Sequence, residues 1–194
     1  MKIPSQLREV LGTHQSGFAL SSIGLMTLFG CYVVYVLFVR QQTLPDVAWW
    51  QWIIGDLLIV DVIAGCVANF TKGTNDYYKQ RSQSRWVFIA IHFHIIVIAW
   101  SYNIALNESV IIWGYTIITA AILNTLYGRK TQAVIAIAFV VLGFMVVASL
   151  SSPLWFQCIA GLFLIKVCYA FSVDHYANDT SSEFERSSGK KNPT

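Results

Sequence analysis

VAWWQWIIGDLLIVDVIAGCVAN, residues 47–69, decides the fold. It is an apolar run long enough to cross about 30 Å of hydrocarbon as a helix rising 1.5 Å per residue, yet it carries Asp56, Asp61 and Asn69. A carboxylate at the centre of a membrane helix costs about 2.5–3.5 kcal/mol on insertion scales, so each asks for a partner or a wet cavity. Trp49, Trp50 and Trp52 at the start of the run form the aromatic belt expected at a membrane interface.

Five further runs of the same character follow from hydropathy. The expected spans are 17–39, 47–70, 86–105, 110–128, 131–150 and 154–173, with residues 1–16 as a lead-in and 174–194 as a polar, disordered tail. The chain has 194 residues, of which 56% are hydrophobic and 12% charged, and its mean hydropathy is +0.56. Soluble domains carry roughly twice that share of charge. The fold class expected is therefore an all-α integral membrane bundle of six transmembrane helices in a lipid bilayer, and the formal net charge of +3 describes loops rather than a nucleic-acid surface.

Lysines and arginines set the orientation. Lys2, Arg8, Lys72, Lys79, Arg81, Arg85, Arg129, Lys130, Arg186, Lys190 and Lys191 fall on one side, against Arg40 on the other and Lys166 inside a span. The positive-inside rule then puts both termini in the cytoplasm. Residues 1–16 lack the pattern of a cleaved signal, so the first span is expected to stay as an anchor, and a bacterial inner membrane suits the whole. On that topology the N-x-[ST] matches at Asn69 and Asn178 face the cytoplasm and that at Asn107 lies in a tight turn, so none signals secretion.

Ile3, Leu7, Val10 and Leu11 recur at helical spacing and predict a short interfacial helix ended by Gly12, serving as a membrane-surface lead-in or a docking lid. In the first span Gly17, Ser21, Gly24 and Cys31 share a sector, the small face along which membrane helices pack. Cys31, Cys66, Cys158 and Cys168 all sit in apolar runs without CxxC pairing and read as buried hydrophobes. Residues 71–85, TKGTNDYYKQRSQSR, read as a hydrophilic loop.

Depth gathers the polar residues. Asp61 lies about 15 Å inside the inner boundary of its span, His92 and His94 about 9–12 Å and Lys166 about 10 Å, with Asn69 and Asn124 near the same end. These give a candidate proton, ion or general-base site of Asp61, Asn69, His92, His94 and Lys166, with Asp56, Asp76 and Asn124 as weaker members. Asp56 is rotated about 140° from Asp61 on a regular helix, and His92 and His94 point about 200° apart, so neither pair is expected to act together. A metal held by Asp61, Asn69 and one histidine is possible. Haem is not expected, because the other histidines, His14 and His175, lie at the chain ends. Lys166 either neutralises Asp61 or snorkels toward the interface.

Lys72, Lys79, Arg81 and Arg85 could hold an anionic lipid headgroup. No P-loop, HExxH or GxSxG signature is present. Three functions fit: proton- or cation-coupled transport through the Asp/His/Lys cluster, an embedded enzyme acting on a lipid or isoprenoid, and a non-catalytic assembly or immunity-like protein. Spans one to three and four to six show no repeat, which removes one support for a transporter; a homo-oligomer could supply the missing half, and a membrane-protein partner is the other possible association.

Overall fold

A computed structural model describes residues 1–40 and 46–177. The proline of the first connecting loop, Pro45, the glycosylation match at Asn178 and the basic tail with Arg186, Lys190 and Lys191 lie outside the described residues.

Among these residues, six helical segments are long and apolar enough to span a membrane, and the chain is a multi-pass integral membrane protein with an all-α bundle. A 3-10 turn (Ser5–Leu7) leads into α1 (Arg8–Leu11). The first span is α2 (Gly17–Val39), started by the Ser16 hydroxyl, which accepts the Ala19 N–H at 3.0 Å, as an N-cap should. The second is α3 (Trp49–Ala68).

Residues 71–85 are not a loop. Lys72–Lys79 form α4, which buries Thr74, Asn75 and Tyr78 on one face and leaves Lys72 and Asp76 outside. The third span starts at Ser82 and comes in two pieces, α5 (Ser82–Ile91) and α6 (His94–Ser101). The tight turn before the fourth span lies at residues 102–105, not at Asn107 and Glu108. Asn103 takes φ 52° there, a conformation asparagine tolerates well, and Glu108 falls in the first turn of α7 (Leu106–Thr125), where a negative charge suits the helix dipole.

The fifth span is α8 (Gln132–Ser149). The sixth, α9 (Leu154–Leu164), continues as a π-helix over Ile165–Phe171.

The sixth span is the centre of the bundle and the first its edge. α9 touches α2, α3, α6, α7 and α8, and Trp155, Phe156, Ile159 and Phe163 on it are fully buried. Gly17, Ser21 and Gly24 lie exposed on the outside of α2, and a Cβ at Gly17 or Gly24 would meet nothing. Of the expected small packing face, Cys31 packs against the core, whereas the three residues nearer the start of the helix do not. Gly30 makes the close approach instead, against Ile63.

The N-terminal segment closes the end of the bundle at which the first span starts and the sixth ends. The Tyr78 hydroxyl donates to the Glu9 carbonyl at 2.8 Å, Thr74 to that of Val10 at 3.2 Å, and the buried Gln15 amide to the Thr71 hydroxyl at 2.6 Å. Gly12, at φ 70°, lies directly on the Gly73 backbone, where any side chain would push the segments apart. Four helical residues bury too little apolar surface to anchor themselves, so hydrogen bonds to α4 hold the segment as a docked cap.

Candidate functional site: a shared carboxylate between α3, α6 and the sixth span

Asp61 projects from the middle of α3 toward the sixth span, where Lys166 Nζ donates to its Oδ2 at 2.6 Å and to its backbone carbonyl at 3.3 Å. Lys166 is buried, with its side chain 3% exposed against 39% for Asp61. It does not snorkel. The lysine stem crosses α3 at Gly65, where an added Cβ would come within 2.5 Å of Cε and 2.9 Å of Nζ. The missing side chain of Gly65 is therefore what lets the amine reach Asp61. Asn69, one turn further, donates from Nδ2 to the Lys166 carbonyl at 3.4 Å, and so steadies the π-helical turn.

His94 reaches the same oxygen, Nε2 to Asp61 Oδ2 at 3.3 Å, while its Nδ1 is buried without a hydrogen-bond partner. The two histidines do not diverge as a regular helix would require; their ring centroids are 4.7 Å apart. The cause is local chemistry. His92 Nδ1 bonds the Phe88 carbonyl at 2.5 Å, the acceptor that its own N–H would use in an unbroken helix. That N–H turns to the Ile89 carbonyl, 3.3 Å away, and the next N–H, of Phe93, closes on the Ile91 carbonyl at 3.0 Å. With φ −84° and ψ 65° at His92, this is an inverse γ-turn. A side chain entering the hydrogen-bond ladder breaks the helix, and α6 restarts at His94 with its imidazole facing Asp61.

Comparison with known proteins yields no match: no family model, no curated protein and no solved structure resembles the chain. The site therefore has to be judged on its own geometry. α5 packs on α7 and α4, and beside α3 a cavity of about 170 Å³ opens, lined by Asp61, Gly65, His92, His94 and Lys166 together with Glu9 and Val10 of the docked cap and Tyr78 of α4.

The other candidates lie elsewhere. Asp56 accepts a hydrogen bond from the Tyr102 hydroxyl at 2.5 Å in a separate cavity. Asp76 pairs with Lys72 at 3.5 Å on the exposed face of α4. Asn124 is bound to Arg85, whose Nε donates to Oδ1 at 2.9 Å.

The headgroup set is largely committed within the chain. Arg85 is buried, donates to the Tyr78 carbonyl at 3.0 Å and stacks 3.8 Å over the Tyr127 ring. Burial pushes the Tyr127 phenol up to about 12, against the pull of that guanidinium, so a neutral ring faces the cation. Lys79 pairs with Asp174 at 3.0 Å, and Arg81 lies on Tyr77 and donates to its carbonyl at 2.7 Å. Among the described residues no three His, Cys, Asp or Glu side chains converge as metal ligands; at Asp61 the position a metal would need is filled by the ammonium.

Tyr102, Tyr78, Gln15 and Glu9 were not identifiable as site neighbours from the sequence. Only the tertiary contacts of the cap and of the turn after α6 bring them in.

Proposed function

We propose that the protein is a proton- or cation-coupled transport protein in which Asp61 takes up and releases the coupling ion. The carrying observation is that one oxygen, Asp61 Oδ2, is shared by an ammonium and an imidazole at the edge of a cavity. With Asp61 ionised, Lys166 balances its charge. A proton arriving at Asp61 would leave the buried ammonium uncompensated, which costs several kcal/mol in a low-dielectric interior. Lys166 must then give up a proton or the helices must move, and this obligation is what couples ion uptake to a change of state.

His94 is the group through which the proton passes, because an imidazole can accept a proton at one ring nitrogen and donate from the other, and here Nε2 faces Asp61 while Nδ1 is unpartnered. The interrupted third span and the π-helical sixth supply the irregular backbone on which such sites are built. The cation count puts the cap, and with it the end of the cavity that the cap lines, on the cytoplasmic side. A lipid-headgroup enzyme is less well supported, since the basic residues that would hold the headgroup are paired within the chain.

The test is proton flux in proteoliposomes carrying an internal pH dye and a potassium diffusion potential. Flux in the wild type should exceed that of Asp61→Asn at least about tenfold, the factor that corresponds to about 1.4 kcal/mol, with His94→Gln in between. Equal flux in wild type and Asp61→Asn, or wild type no faster than empty liposomes, rejects transport and leaves the cluster as interhelical glue.

A further inference from the structure

Asp56, the other carboxylate of α3, faces a different cavity, and its chemistry is not that of Asp61. It lies in the half of the bundle away from the docked cap, seven residues into the helix, and lines a cavity of about 410 Å³ between α2, α3 and the start of α9. Small-molecule sites commonly measure about 300–1,000 Å³ and pair mainly apolar walls with a few placed polar groups.

The wall here is aromatic. Phe38, Trp52, Tyr102 and Trp155 form one connected cluster, with ring centroids 5.6 Å apart for Phe38 and Trp52, 5.3 Å for Trp52 and Tyr102, and 5.1 Å for Tyr102 and Trp155. The four rings come from four different spans or their ends, and each also lines the cavity.

At Asp61 a lysine answers the charge. At Asp56 the side-chain hydrogen bond comes from a neutral donor, the Tyr102 hydroxyl, and among the described residues no lysine, arginine or histidine forms a salt bridge with it. An ionised carboxylate at membrane depth without a cation is costly, and aromatic faces attract cations. An inorganic ion is the wrong complement, because hard cations require several oxygen ligands and this cavity offers one carboxylate among rings.

We propose that the Asp56 cavity binds an organic cation, an ammonium or phosphonium with an apolar body, whose charge sits against Asp56 and whose body lies along the aromatic wall. This goes beyond the coupling role given to Asp61 and does not rest on it, since binding is measured at equilibrium without a gradient.

The experiment is binding of radiolabelled tetraphenylphosphonium to the purified full chain in detergent, with triphenylphosphine oxide, of similar apolar body and no net charge, as competitor. Saturable binding is expected, weakened about tenfold or more by Asp56→Asn, retained in Asp56→Glu, and unaffected by triphenylphosphine oxide at the concentration at which unlabelled cation displaces the label. Asp61→Asn should leave it unchanged, which separates this site from the coupling site. No saturable binding, equal binding in Asp56→Asn and wild type, loss in Asp56→Glu as well as Asp56→Asn, or competition by triphenylphosphine oxide as strong as by unlabelled cation would overturn the proposal.

Discussion

The strength of the Asp61–Lys166 pair depends on the environment of both ends. Lys166 is almost fully enclosed, whereas Asp61 is 39% exposed along the cavity. Losing one partner of a fully buried pair costs about 3–5 kcal/mol, and partial exposure of the survivor lowers this to on the order of 2 kcal/mol for Lys166→Met. Asp61→Asn with Lys166→Met removes both charges, and the double variant should recover most of the loss. Denaturant unfolding in detergent, read as a double-mutant cycle, checks this; strictly additive losses would mean that the two groups do not stabilise one another. The sequence allowed the partners to be named at this scale, because span boundaries and 1.5 Å per residue place Asp61, His94 and Lys166 at similar depth. It did not reveal that Lys166 would win over snorkelling. That outcome depends on Gly65 lying where the stem must pass, a fact about two helices at once.

Spans are legible because transfer free energy is summed over about twenty residues and tolerates errors at individual positions. Interruptions are a different matter. The third span has neither proline nor glycine between Ser82 and Ser101, so nothing marks the break at His92, and the π-helical turns around Lys166 are equally silent. The amphipathic α4 was hidden by its polarity, since it buries Thr74 and Asn75 in place of aliphatic side chains. The break itself makes a prediction. His92→Leu returns the Phe88 carbonyl to the backbone, straightens the segment and carries residue 94 away from residue 61. His92→Gln keeps a side-chain donor for that carbonyl and should keep the break. With cysteines at positions 61 and 94, a short bifunctional thiol reagent should bridge them efficiently in the parent and the Gln variant, and severalfold less in the Leu variant, as read by peptide mass mapping. Equal bridging in all three would show that His92 is not what interrupts the helix.

At the scale of the whole molecule, the end at which the first span starts and the sixth ends is a clamp of polar groups over an apolar bundle. Asn75 Nδ2 donates to the Val173 carbonyl at 3.0 Å, the Tyr176 hydroxyl to the Phe70 carbonyl at 3.0 Å, and Gln132 Nε2 to the Ser172 carbonyl at 2.7 Å, so the chain after the sixth span is fastened to the turn after α3, to α4 and to α8. His175 sits inside this clamp. Its Nε2 faces the carbonyls of Tyr169 and Ala170, both at 3.2 Å, and its ring lies 4.9 Å from that of Phe70 and 5.2 Å from that of Tyr169. Burial lowers the His175 pKa below the ordinary value, although both carbonyls and Asp174 pull the other way. The unfolded chain takes a proton at this residue near pH 6.5, the folded chain only at a lower pH. As pH falls through about 6.5 the unfolded state therefore binds more protons, and stability declines by at most about 1.4 kcal/mol per pH unit until the folded pKa is reached. Above that window the contribution is complete. His175→Phe keeps a ring between Phe70 and Tyr169 but does not titrate, so its stability should fall less steeply than that of the wild type from about pH 6.5 to 5, whatever the loss of the two carbonyl contacts does to the absolute value. Unfolding midpoints of both proteins across that range decide the matter. Parallel curves would mean that His175 is protonated as easily in the clamp as in the unfolded chain, and that the clamp's acid sensitivity lies in its carboxylates.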